Sequence, residues 1–239
     1  MNNLALITWT NTEYSDIWPA YFGQLNEMCP KYRSYIITNK RSSKVPKGHT
    51  QLVNKESDPF YKRMTDCLRR VKEDYVLYMQ EDHIFYDSVD NQKIIELLSF
   101  LESSDHSSVR LVKSGELGGS RLTEDIFLIP QSSQYLFSQQ SAIWKKADLQ
   151  KILNYYKPQT YRDVEQGGSF ACSVLRTTHC YVYRGEPQRG KYHFDSKTFP
   201  YIATAVCKGK WNIAEYSKEL PPILEKYKID YNLRGVYEH

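Results

Sequence analysis

The sequence predicts an α/β fold with a mostly parallel sheet, and three observations predict it. Between Leu4 and Met79 the chain alternates strand, helix, strand, helix, strand. Strands joined by helices pair in parallel through right-handed crossovers. A polar cluster follows each of the three strands: Thr8 to Asn11, Thr38 to Lys40, and Gln80 to His83. Parallel α/β sheets bind ligands beyond the C-terminal ends of their strands, so the three clusters are expected to converge on one site.

The elements follow in order. LALITW (4–9) has the unbroken apolar character of a buried strand. From about Asp16 to Met28, Ile17, Phe22, Leu25 and Met28 recur at helical spacing, with Pro19 in the first turn, where its missing N–H is harmless. RSYIIT (33–38) is the second strand, and KRSSKVPKGHT (40–50) reads as a polar loop. An amphipathic helix runs from about Phe60 to Lys72, and YVLYM (75–79) is the third strand. The second half is less regular. A helix over 91–102 leads to strands in VRLVKS (109–114), FLIP (127–130) and YLFSQQSAIW (135–144). Helices are expected over Lys146–Tyr156 and from about Arg162 to Arg176, with late strands in HCYVYRGE and YIATAV. No repeat, low-complexity tract or linker divides the 239 residues, so a single domain with an elaborated C-terminal half is expected.

Composition narrows the function. The net charge is +4 with its basic residues dispersed, and Lys145-Lys146 and Lys208 to Lys210 are too short to track a nucleic-acid backbone. The five cysteines are odd in number and form no CxxC pair, which argues against a zinc site or a disulfide framework and for reduced thiols in the cytoplasm. MNNLALITWT lacks a basic n-region and a long apolar run, so neither a signal peptide nor a membrane span is expected, although peripheral membrane contact stays open. Tyrosine is abundant, with 20 copies, which suits stacking on sugars or bases as well as burial in a core.

In YVLYMQEDHIF (75–85) a hydrophobic strand ends on two carboxylates and a histidine before apolar residues resume. Carboxylates in such surroundings need a cation or a hydrogen-bond network. Glu81 and Asp82 point to opposite faces while the strand stays extended; one of them, with a nucleotide's phosphates, is enough to hold Mg²⁺ or Mn²⁺. His83 is either a further ligand or structural. Thr8, Thr10, Asn11, Thr38 and Asn39 suit ligand binding and turn chemistry equally. Lys62 or Arg63 is placed to reach a phosphate from the start of its helix. In YRDVEQGGSF (161–170), Asp163 and Glu165 are candidate general bases, or a helix-start pair favoured by the macrodipole. Gly167 and Gly168, costly inside a helix, point to close approach of a backbone or a ligand. In KGKW (208–211), Lys208 and Lys210 flank a glycine in a form suited to a diphosphate, or to a surface turn.

Taken together, ITWTNTEYSDIWPAYF, DYVLYMQEDHIF, SQQSAIWKKADLQKIL and KGKW resemble nucleotide-sugar-dependent glycosyltransferases of GT-A fold. The likeness is to the small unanchored enzymes of bacterial surface polysaccharides and large-virus capsid glycans. It implies a GT-A-like single domain, with a Rossmann-like sheet, a nucleotide-sugar-binding half over 1–90 and an acceptor half over 91–239. It implies a divalent metal, Mn²⁺ or Mg²⁺, on Asp82, the last position of a DxD-type motif in which Gln80 replaces the first Asp and Glu81 takes the middle. Gln80, Glu81, Thr8, Thr10, Asn11, Thr38, Asn39, Arg63, Lys208 and Lys210 then face a donor such as a UDP-sugar. His193 joins the metal and diphosphate end, and Glu165, ahead of the two glycines, is favoured over Asp163 as base. The partners implied are a nucleotide diphosphate sugar and a saccharide acceptor. Two alternatives stand beside this: a sugar-nucleotidyltransferase, although TWTNTEY lacks the Gly-rich basic loop that chemistry uses, and a non-catalytic glycan- or nucleotide-binding protein.

Overall fold

The computed structural model describes residues 3–115, 118–189 and 192–238. Its centre is an eight-stranded sheet in the order β3-β2-β1-β4-β8-β6-β9-β7. The strands are β1 (Leu4–Trp9), β2 (Arg33–Thr38), β3 (His49–Val53), β4 (Tyr75–Gln80), β6 (Ser108–Arg110), β7 (Ile126–Leu128), β8 (Ala142–Lys145) and β9 (His179–Val182), while β5 (Ile84–Phe85) pairs outside the sheet with Tyr201–Ile202. All are parallel except β8, wedged antiparallel between β4 and β6, and β7 at the far edge.

Alternation along the strands builds two core layers. Leu4 and Leu6 of β1, with Leu77 and Met79 of β4, pack against Trp18 and Phe22 of α1 (Trp18–Met28) and Ile94 and Leu97 of α3 (Asn91–Glu102). Ala5, Ile7, Val76 and Tyr78 face the other way. They meet Phe60 and Met64 of α2 (Phe60–Leu68), Leu149 and Ile152 of α4 (Lys146–Tyr156) and Val164 of α5 (Val164–Leu175). A third cluster, with Trp211 and Tyr216 at its centre, joins α6 (Leu220–Lys226) to β5.

Several boundaries differ from expectation for local reasons. β3 lies partly in the stretch read as a polar loop. It is an edge strand on β2 in which only Leu52 is buried, so it carries little hydrophobic signal. α2 stops at Leu68 because i→i+3 bonds from Arg70 to Cys67 and from Val71 to Leu68 turn Val71 into the core. The strand expected over 135–144 is confined to β8, since Leu136 and Phe137 are buried as loop anchors rather than as sheet residues. The helix expected from Arg162 begins as a 3₁₀ turn over Tyr161–Asp163. No helix among the described residues is long and apolar enough to cross a membrane.

The glycine pair of α5 answers to side chains rather than to a backbone or a ligand. A Cβ on Gly167 would fall 1.7 Å from the Tyr156 ring, and one on Gly168 would fall 2.6 Å from Phe137. Tyr156 is 40% exposed and free to swing, whereas Phe137 is 5% exposed. Gly168→Ala is therefore expected to lower the urea-unfolding free energy by about 1–3 kcal/mol through overpacking. Gly167→Ala is expected to change it by less than about 1 kcal/mol, because the gain in helix propensity offsets the ring's displacement.

Candidate active site

The ends of the parallel strands do converge. Asn39, after β2, accepts from the Thr12 N–H at 2.9 Å and the Thr12 hydroxyl at 3.0 Å, tying its loop to the one after β1. Asn11 caps the 3₁₀ turn Thr12–Tyr14 by accepting from the Glu13 N–H at 3.0 Å. Arg63 donates to Asn54 at 2.8 Å and lies over the Trp9 ring at 5.1 Å, which brings its guanidinium to the same end of the sheet. Lys62 instead pairs with Asp58, just ahead of its helix, at 2.5 Å. Two threonines belong to the core. Thr8 is fully buried 2.6 Å from the Tyr21 hydroxyl, and Thr38 is fully buried and accepts from Gln51 at 2.8 Å. Thr10 accepts from the Trp18 indole at 2.9 Å, and its hydroxyl lies against the Glu81 carboxylate.

At the end of β4 the carboxylates meet few cations. Burial raises the proton affinity of both Glu81 and Asp82, and for Glu81 the neighbouring Asp82 raises it further. Among the described residues no Lys or Arg lies within 4.0 Å of either; Arg234 reaches Glu81 only through its longer-range field. The Asp82 side chain keeps 19% of its surface open. Such a pair fits a divalent cation that takes most of its ligands from phosphate and water. Among the described residues no group of three His, Cys, Asp or Glu side chains forms a metal cage. His83 is a buttress. Its Nδ1 accepts from the Gln80 N–H at 3.4 Å and lies 2.9 Å from Ser141 Oγ, and burial pushes its pKa down to about 3.

Gln80, where a DxD motif has its first Asp, turns to the other half of the molecule. Its carbonyl accepts from the Tyr161 hydroxyl at 2.6 Å, and its amide donates to the Gln139 carbonyl at 3.2 Å. The N–H of the same Gln139 donates to Glu165 Oε1 at 2.8 Å, and Ser138 donates to that oxygen at 3.1 Å. Glu165 Oε2 has no hydrogen-bond partner among the described residues. Glu165 lines a cavity of 230 Å³ with Tyr135, Gln140, Tyr192, His193 and Thr204. His193, expected at the metal, stands on this cavity instead, with its pKa lowered to about 4 by burial and then by the charge of Arg110. Asp163 closes a capping box with Thr160, accepting from its N–H at 2.9 Å and its hydroxyl at 2.8 Å, bonds that hold its carboxyl below the usual range.

KGKW forms a hairpin. Lys208 and Gly209 both take positive φ, 50° and 82°, the pattern of a two-residue type I′ turn between Val206–Cys207 and Lys210–Trp211. Trp211 is fully buried, while both lysines are exposed. The hairpin's root abuts the acidic motif, because the Val206 N–H meets the Asp82 carboxylate. The chain's last turn straps it down. Arg234 pairs with Asp16 through two bonds of 2.5 and 2.6 Å, lies over Tyr14 at 4.8 Å and donates to the Gly209 carbonyl at 3.3 Å. Sequence reasoning passed over Arg234, Thr12, Tyr161, Gln139 and Arg110. Thr12, Tyr161 and Gln139 lay inside stretches singled out for other residues, and Arg110 inside an expected strand.

No family model matches the sequence, and no curated protein does. Solved structures do. A cytidylyltransferase from Leptospira borgpetersenii superposes with a TM-score of 0.51 at 11% identity, covering 99% of each chain. Residues 1–349 of S. aureus TarS, which has also been solved with UDP-GlcNAc, superpose at 0.50 and 10% identity, covering 94% of this chain and 65% of that one. The fold is GT-A-like. The mannosyltransferase PcManGT from Pyrobaculum calidifontis, solved with GDP-Man and Mn²⁺, aligns at 0.48 and 13% identity over 79% of this chain and 58% of its own. Glycosyltransferases and nucleotidyltransferases both occur among the neighbours of this GT-A-like sheet.

Of the two carboxylates in YRDVEQGGSF, Asp163 is placed as a cap and Glu165 beside a cavity. Asp163→Ala is expected to lower stability slightly in thermal or urea unfolding, as loss of a capping-box partner does. The same variant should bind nucleotide with unchanged affinity by calorimetry.

Proposed function

We propose that this protein is a cytoplasmic glycosyltransferase that moves a sugar from a nucleoside diphosphate donor to a saccharide hydroxyl, in the synthesis of a surface polysaccharide or glycoprotein glycan. The observation that carries the reading is the pair of bonds made by the Gln139 backbone. Through its carbonyl it meets Gln80, at the root of the acidic motif, and through its N–H it meets Glu165, beside the cavity. The main chain of one residue thus links the strand end that carries the carboxylate pair to a carboxylate with a free oxygen. Residues 1–90 supply the donor half and residues 91–239 the acceptor half.

In this reading Asn11, Thr12 and Asn39 face the nucleoside, while Arg63, Lys208 and Lys210 offset the diphosphate charge. A divalent cation held by Asp82, with Glu81 beside it, would add charge neutralisation of the leaving diphosphate. Glu165 takes the proton from the acceptor hydroxyl as that oxygen bonds to the anomeric carbon and the bond from that carbon to the diphosphate breaks. Ser138 and the Gln139 N–H hold Oε1, which fixes the carboxylate and leaves Oε2 for the proton.

The likeness to a cytidylyltransferase over 99% of each chain favours a second reading, sugar-nucleotide synthesis from a nucleoside triphosphate. Against it, the segment after β1 is a capped 3₁₀ turn, TEY, with neither glycine nor a basic residue to cradle a triphosphate. Product analysis separates the two readings. Release of nucleoside diphosphate supports transfer of the sugar, and release of pyrophosphate supports nucleotidyl transfer.

Two outcomes test the proposed roles. Mn²⁺ should tighten UDP binding several-fold in calorimetry, and Asp82→Ala should abolish that gain while the fold persists by circular dichroism. Equal UDP affinity with a chelator present removes the metal from the reading. Glu165→Gln should lower kcat on the order of 100-fold or more with little change in donor binding, since general-base help is worth about 10²–10⁴-fold. Full activity in this variant moves the base elsewhere.

A further inference from the structure

The cavity at Glu165 opens into a larger cleft. The two share Gly115, Tyr135 and Tyr192, and the larger one, of 970 Å³, is also lined by Lys113, Gln134, Gln188 and Phe194. A volume near the top of the range for drug-sized ligands, about 300–1,000 Å³, exceeds what one sugar ring fills. Tyr135 and Tyr192 flank the junction with 42% and 52% of their surfaces exposed. Exposed tyrosine rings beside a polar cleft offer an apolar face and a hydroxyl, which suits the faces and edges of sugar rings.

Among the described residues that line the larger cleft, the charge is one-sided. No Asp or Glu stands among the described residues lining the larger cleft. Lys113 Nζ lies over the rings of Phe194 and Tyr183 at 4.3 and 4.4 Å and has no carboxylate within 4.0 Å among the described residues. Behind the wall, Arg110 is 4% exposed and likewise unpaired. It donates to Ser114 Oγ at 2.9 Å and to the Tyr135 carbonyl at 2.6 Å, so it holds two lining residues in place. The strongest negative field on Arg110 is that of Glu165, at the other end of the path. A buried guanidinium without a paired acid keeps much of its field, and a low-dielectric cleft focuses that field on its occupant.

We propose that the acceptor is an extended, negatively charged saccharide that runs along this cleft, with an anionic group at Lys113, rings on Tyr135 and Tyr192, and its terminal hydroxyl at Glu165. The inference rests on the glycosyltransferase reading for the identity of Glu165 and adds the class of acceptor. Carboxylate- and phosphate-bearing saccharides share the required chemistry.

The test is a titration of the full chain with oligosaccharides of one to six units in three series: neutral malto-oligosaccharides, carboxylate-bearing oligogalacturonates, and phosphate-bearing mannan oligomers. At least one charged series should tighten by about 10-fold or more between one and four units and outbind the neutral series at equal length. Lys113→Gln should weaken the charged series by about 10-fold and leave the neutral one unchanged, the scale of one charge-assisted hydrogen bond. Tyr192→Ala should weaken all three series, with Tyr192→Phe retaining most of the affinity. Affinity independent of length, no preference for charge, equal losses in all series for Lys113→Gln, or no binding by any series overturns the proposal. The thermal shift caused by UDP, read on the same wild-type protein, separates the two levels. UDP stabilisation without saccharide binding defeats the acceptor inference alone, and absence of both defeats the donor reading beneath it.

Discussion

The site depends on the main chain of one residue being shared between two partners. Gln139 has a single N–H and a single carbonyl, and it spends them on residues from opposite halves of the chain, Glu165 and Gln80. A backbone group has no rotamers to lose, so this coupling is stiffer than a bond between two long side chains. It fixes Glu165 relative to the end of β4 without any contact between the two. It also explains why a glutamine suits position 80. A carboxylate there would put two acceptors, its own oxygen and the Gln139 carbonyl, against each other, and the amide resolves that conflict by donating.

The sheet topology makes this sharing possible. Because β8 runs antiparallel beside β4, the segment entering β8 lies at the end of the sheet where β4 finishes. Residues 138–141 are delivered to the strand ends by chain direction alone, and each finds a partner there: Ser138 and Gln139 on Glu165, Gln140 on Tyr201, Ser141 beside His83. A parallel β8 would have sent the same residues to the opposite end. Charge is then arranged across the sheet, with Glu81 and Asp82 after β4 and, on β6, Arg110, which has no carboxylate within 4.0 Å among the described residues.

The sequence made legible what depends on short-range pattern. β1, β2 and β4 are nearly continuous apolar runs, and α3 falls on the residues its spacing indicated. β3 was obscured because an edge strand buries one face only. In the candidate site, the acidic pair stood out as polar residues interrupting a hydrophobic stretch, whereas Glu165 was favoured over Asp163 only by the family resemblance. Thr8 and Thr10 look alike in sequence, yet one is spent on Tyr21 and the other sits against Glu81. The tyrosines divide between core and surface: Tyr21, Tyr78 and Tyr201 are buried, and Tyr135 and Tyr192 line the cleft with open rings. Arg234 and Arg110 were not legible, because their placement comes from partners such as Asp16, 218 positions from Arg234.

The thiols carry a practical consequence. Cys29, Cys67, Cys172 and Cys180 are buried, and burial raises their pKa values to about 12, 11, 11 and 12, which leaves almost no thiolate at neutral pH. Cys207 alone is partly open, and it is the residue before Lys208 on the hairpin that abuts Asp82. A maleimide fluorophore would therefore attach at one defined place without any engineering. Its emission would follow the polarity beside Asp82, so the wild-type chain carries its own reporter at the acidic motif.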